Sequence, residues 1–138
     1  MLITLISCSI EDDHCLDRTI ITTSLEGEYD CTNTKYDLDL DLIDDYIIIK
    51  DQDSFNRRVT GNCKPDIDFS IFDLVIGKKE LTTGNDSIEY KLTENCKTSN
   101  LLLEVIFKQN ESTEAPNLTY HRLIPKVAQG KELKVVIF

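Results

Sequence analysis

Hydrophobic and polar side chains alternate along much of this chain with a period of two, and the run Tyr36-Asp37-Leu38-Asp39-Leu40-Asp41-Leu42 does so without a break. Successive side chains of a strand point to opposite faces, so this spacing predicts a strand with leucines on one face and three aspartates on the other. Asp44-Asp45 supplies a turn and Tyr46-Ile47-Ile48-Ile49 reads as the next strand, which makes the pair a predicted hairpin. Strand patterns recur at Arg18–Thr23, Phe72–Lys78, Ser87–Leu92, Leu101–Phe107, Leu118–Ile124 and Leu133–Phe138. Turn-forming clusters at 82–86, 96–100 and 109–117 separate them. Strands at this spacing predict a β-dominated α+β domain, an antiparallel sheet, sandwich or roll of about seven or eight strands.

One segment departs from the period. Asp51 is placed to N-cap a short helix over Gln52–Val59, with Asp53 in its first turn, Arg57 and Arg58 in its last, and Gly61 beyond to end it. Phe55 and Val59 stand four apart, so one face of that helix can pack on a sheet. With Phe69 and Leu74-Val75-Ile76, these residues are the predicted core.

The N-terminus changes the picture of where the protein works. Leu5-Ile6-Ser7-Cys8 has the form of a bacterial lipobox, in which Cys8 is lipidated and becomes the mature N-terminus. Residues 1–8 then read as the end of a signal peptide whose basic region lies upstream of Met1. Residues 9–17 are polar and acidic, a predicted tether leading to a single globular domain over 18–138. Glu11-Asp12-Asp13 after the cysteine also resembles the export signal of Bacteroidota surface lipoproteins. An acyl anchor on Cys8 would hold the domain at the outer membrane, facing either the cell surface or the periplasm.

Cysteine parity fits an oxidising compartment. Of Cys8, Cys15, Cys31, Cys63 and Cys96, lipidation of the first leaves four, an even set with three possible connectivities. The matching turn-rich surroundings of Cys63 and Cys96 favour a bridge between those two; if that bridge fails, Cys31 is the expected partner of one of them and Cys15, in the tether, the unpaired thiol. Zinc is not expected, because there is no CxxC pair and His14 and His121 lie far apart.

The net charge of −10 is uneven, with 14 acidic against 5 basic residues in 1–60 and 11 against 10 in 61–138. Such a surface repels phosphate backbones, which argues against nucleic acid as a partner. Asp37, Asp39 and Asp41 are spaced as the first three ligands of an EF-hand loop. Leu42 and Ile48 stand where that loop needs glycine and glutamate, so the expectation is a solvated strand face, with cation binding as the alternative. No serine or cysteine is accompanied by a nearby histidine base, the glycines are scattered singly, and no cofactor is expected. Asn85, Asn110 and Asn117 head Asn-X-Ser/Thr triplets, read as products of polar loops.

The segments 47–56, 65–77 (PDIDFSIFDLVIG), 83–88 (TGNDSI) and 118–126 (LTYHRLIPK) together resemble, over residues 45–138, the protease-complex regulatory subunit (PrcB C-terminal-type) domain and similar Bacteroidota lipoproteins. The chain departs from that pattern at Thr83-Gly84-Asn85-Asp86, where a fuller Thr-Gly-Gly-Tyr turn is usual. The resemblance implies a non-enzymatic accessory domain that binds, stabilises or regulates a partner protein at the envelope. The alternative class is a small extracytoplasmic hydrolase or a calcium-dependent carbohydrate-binding domain built on clustered carboxylates. A concave pocket with desolvated carboxylates would favour the enzyme, and an exposed strand edge would favour protein binding.

Overall fold

In a computed structural model the described residues are 15–42 and 44–138. The lipobox with Cys8, His14 and the tether up to residue 14 lie outside them. Among the described residues nine strands and three short helices follow one another: β1 (Arg18–Ile20), α1 (Leu25–Tyr29), α2 (Thr34–Asp37), β2 (Asp39–Leu40), β3 (Tyr46–Ile49), α3 (Gln52–Arg58), β4 (Val59–Thr60), β5 (Phe72–Glu80), β6 (Asn85–Glu94), β7 (Leu101–Gln109), β8 (Asn117–Pro125) and β9 (Leu133–Ile137). The strands form a four-stranded sheet in the order β1-β6-β7-β9, a three-stranded sheet β3-β5-β8, and a two-stranded ribbon β2-β4. The domain is therefore β-dominated, as the periodicity predicts.

The three-stranded sheet is buried on both faces. Val75, Leu118, Tyr120 and Ile124 point toward the four-stranded sheet, where they meet Leu92, Leu103, Val105 and Phe107. Leu74, Ile76, Ile49 and Leu123 point the other way, against Leu25, Leu38, Leu40, Phe55, Val59 and Ile67. A sheet covered twice needs apolar residues at consecutive positions rather than alternate ones, and Leu74-Val75-Ile76 supplies them, each inaccessible to solvent. The helices and the β2-β4 ribbon are the second cover. Phe55 and Val59 are fully buried as predicted, while Phe69 is half-buried at the margin.

Helix α3 forms as its caps dictate: the Asp51 side chain accepts from the Ser54 N–H at 2.8 Å, and Arg57 and Arg58 occupy its negative end. It ends one turn before Gly61, whose φ of +145° brings the backbone against another segment. A Cβ there would stand 2.7 Å from the Asp37 carbonyl oxygen, so the glycine serves close packing rather than helix termination.

Four sequence expectations are corrected. The aspartate run is not one strand: Tyr36 and Asp37 end helix α2, and only Asp39–Leu40 pair as a strand. The hairpin does not form, because β2 pairs with β4 across Leu40↔Val59, and β3 pairs with β5 across Ile48↔Val75. The sheets are not wholly antiparallel, since β9 lies parallel to β7. The disulfides join Cys15 to Cys96 and Cys31 to Cys63, with Cα separations of 5.7 and 5.6 Å, in place of Cys63–Cys96. Cys15 is thus paired, and residues 15–17 are fastened to the body, where Asp17 accepts from the Cys96 N–H at 3.1 Å.

At the head of β5 the inaccessible carboxylate of Asp73 accepts from Lys50 Nζ at 2.6 Å, Lys126 Nζ at 3.0 Å and the Val127 N–H at 3.0 Å. Lys50 follows β3 and Lys126 follows β8, so one anion ties together the ends of all three strands. Burial pushes the Asp73 carboxyl up, but Lys50, the Val127 N–H and Lys126 outweigh it and hold it below the usual carboxylate range. Replacing both Lys50 and Lys126 by Met should leave a buried, uncompensated charge and cost about 3–5 kcal/mol. Asp73→Asn, which leaves only half-exposed lysines unpaired, should cost less. Urea unfolding of the two variants checks the order, and equal losses would contradict this account.

Candidate functional site

Two regions gather polar chemistry or unpaired backbone. The first is a cavity of about 290 Å³ between α1, α2 and β8, lined by Glu26, Thr34, Tyr90, His121 and Arg122 among others. His121 sits on the face of β8 that turns toward the helices and is 4% exposed. Its Nε2 accepts the Leu25 N–H at 2.9 Å, one of the first helical N–H groups that a helix leaves without an internal partner. Ser24, the N-cap, accepts from Gly27 N–H at 3.0 Å. The imidazole therefore completes the cap that Ser24 begins.

That bond sets the tautomer. With Nε2 accepting, the proton of the neutral ring is on Nδ1, 3.4 Å from Thr34 Oγ1. The Thr34 hydroxyl in turn donates to Glu26 Oε2 at 2.7 Å, and Glu26 Oε1 stands 3.5 Å from Nε2. Burial lowers the His121 pKa, Glu26 raises it and Arg122 lowers it again; burial wins and the value is pushed down to about 4. The neighbouring Arg122 lies over the Tyr90 ring at 4.9 Å and donates through Nε to Thr22 Oγ1 at 2.7 Å. The Tyr90 hydroxyl accepts from the His121 N–H at 3.2 Å, and desolvation drives its pKa upward. A general base must offer a free lone pair to substrate. The lone pair of His121 is taken by Leu25, so this cluster holds α1 and α2 on the sheet.

The aspartates are not brought together. Asp37 accepts from the backbone N–H groups of Asn62 and Cys63 at 3.1–3.2 Å, and the Cys63 and Asn62 bonds hold its carboxyl below the usual range. Asp39 pairs with Lys78, which lowers its pKa as well. Asp41 joins neither contact. Among the described residues no group of three or more His, Cys, Asp or Glu side chains is placed to hold a metal ion.

The second region is the edge of the four-stranded sheet. Phe138 N–H donates to the Val105 carbonyl at 2.8 Å, and the Phe138 carbonyl accepts from Phe107 N–H at 3.1 Å. Alternation along a strand then turns the backbone groups of Leu133, Val135 and Ile137 away from β7. No described residue bonds them. On the outer face beside this edge lies an open groove of about 760 Å³, floored by Leu102 and Val136 and flanked by Lys91, Glu104 and Lys134. Of the other sheet edges, β1 has three residues and β3 four, while the nine-residue β8 is engaged at two outward positions, Leu123 through paired bonds to Thr23 of 3.1 and 2.9 Å and the His121 N–H by the Tyr90 hydroxyl.

Compared with known proteins, the chain matches no family model, no curated relative and no solved structure at a significant level. Two disulfides mark an extracytoplasmic domain. No helix among the described residues is long and apolar enough to cross a membrane.

The His121 arrangement predicts a pH dependence. Its folded pKa lies below the ordinary 6.5, so the unfolded chain binds the extra proton between pH 6.5 and about 4. Stability is fully present above pH 6.5 and falls through that window, by roughly 1–3 kcal/mol in total. Denaturation of the wild type and of His121→Gln, whose side-chain carbonyl can accept from Leu25 without titrating, should show a slope in the first and a flatter profile in the second.

Proposed function

We propose that this chain is a non-catalytic, protein-binding accessory domain of the cell envelope, held to the outer membrane by an acyl group on Cys8, and that it stabilises or regulates a partner protein. The observation that carries the reading is the open edge of β9. Main-chain groups that no described residue pairs, on a five-residue strand, give a partner segment hydrogen bonds, while the flanking side chains select it. The lipobox around Cys8, the paired state of the other four cysteines and the resemblance of residues 45–138 to the protease-complex regulatory subunit domain support the envelope and accessory roles. The acidic run after Cys8 supports display at the cell surface.

The test uses the gene with its upstream codons, expressed in a bacterium that processes lipoproteins. The wild-type chain should incorporate labelled palmitate and sediment with membranes, whereas Cys8→Ser should lose the label and appear in the soluble fraction. Pull-down from envelope extract should then recover a partner with the wild type and about tenfold less with Val135→Pro, since a central contact dominates a small interface. Palmitate incorporation unchanged by Cys8→Ser would sink the anchoring role, and equal recovery by both chains would sink the binding role of the edge.

A further inference from the structure

The β9 edge is complementary to itself. Three residues, Leu133, Val135 and Ile137, present outward N–H and C=O groups, and a two-fold axis at Val135 would set Leu133 opposite Ile137 and Val135 opposite its own copy. That register uses every outward group. Moving the axis to Lys134 would place two lysines directly opposite each other, which like-charge repulsion disfavours. Of the devices that keep natural edges from pairing, strand β9 lacks proline, a bulge and an inward-pointing charge, and carries only the outer-face Lys134, which the register about Val135 sets opposite Val136 rather than another lysine.

The outer face adds charge complementarity in the same register. Lys91 pairs with Glu104, and Glu104 with Val136, along one row of the sheet. Across the axis that row continues to the partner's Lys134, so Glu104 and the partner's Lys134 stand two strand spacings, about 10 Å, apart at the backbone. Both side chains lie on the outer face, within joint reach over Val136. Two such pairs form per dimer, related by the axis.

The geometry points to an isologous dimer in which two copies of β9 pair antiparallel about Val135, joining two four-stranded sheets into one of eight strands. It rests on the reading of this edge as the binding surface and names a second copy of the chain as an occupant. The contact is weak in solution, because five residues per side bury far less than the roughly 800 Å² per partner of a stable complex. Anchoring in a membrane raises the local concentration and populates it.

Sedimentation of the full chain carrying Cys8→Ser, so that no acyl group mediates association, should show a monomer–dimer equilibrium across about 10 µM to 1 mM, the range expected of an interface this small. Val135→Pro removes one outward N–H and no bond to β7, and should leave a monomer throughout. Lys134→Glu should weaken the dimer at least severalfold, and Glu104→Lys in the same chain should restore it. A monomer at every concentration, or a dimer indifferent to these substitutions, overturns the proposal. A monomeric chain whose Val135→Pro form still loses an envelope partner would overturn self-pairing alone, whereas a dimer that captures no partner would overturn partner binding alone.

Discussion

Everything in this structure follows from one strand that has no wet side. Leu74, Val75 and Ile76 of β5 are all inaccessible, so the sheet they belong to must be covered twice. Two fully buried aliphatic faces are worth several kcal/mol of transfer free energy, and neither can be left open without losing its share. The four-stranded sheet covers one face. The other falls to a patchwork of three short helices and a two-stranded ribbon, none of which would be stable alone. Their placement is a consequence of the need for a lid over Leu74, Ile76 and Leu123.

That dependence explains what could be read from the residues alone. Strands β5 to β9 and helix α3 were legible because each carries its own signal: an apolar or alternating run between turn clusters, or a capped segment with basic residues in its last turn. Helices α1 and α2 carried no such signal. Helix α1 is five residues long, with acidic Glu26 and Glu28 in its first turn, and its apolar face is the single pair Leu25 and Tyr29, too short to show a period. Its remaining support comes from His121, nearly a hundred positions away. The aspartate run misled because alternation was read as a strand face, whereas Asp37 is spent on the backbone of Asn62 and Cys63, and Asp39 on Lys78. Both contacts join segments far apart in sequence. Cysteine spacing could not distinguish nested from adjacent pairing, and the observed bridges are nested, 31–63 within 15–96.

Polar groups inside the molecule work as fasteners. Asp73 gathers three strand ends, and His121 closes the start of a helix; each sits where an apolar side chain would leave backbone or lysine groups without partners. Burying such groups is tolerable only when every hydrogen-bonding position is met. Asp73 meets the requirement with two cations and one N–H, and His121 with one donor and one hydroxyl. The β9 edge is the opposite case, a set of strong backbone groups that no described residue bonds, in a strand otherwise rich in valine and isoleucine.

The bridge from Cys15 to Cys96 also sets a length. With Cys8 acylated as proposed, seven peptide units separate the lipid from the first covalent fixture on the body, a span of at most about 25 Å when fully extended. Cys96 lies at the end of the sandwich where the loops 95–100 and 125–131 converge near Arg18. Under that proposal this end would be leashed close to the bilayer, and the strands run from it toward the Gly84 and Asn110 turns at the opposite pole. Leu133 begins β9 at that same end, so under the proposed anchoring the open edge would start within the same distance of the bilayer. An anchor of that length would favour pairing with neighbours confined to the same surface.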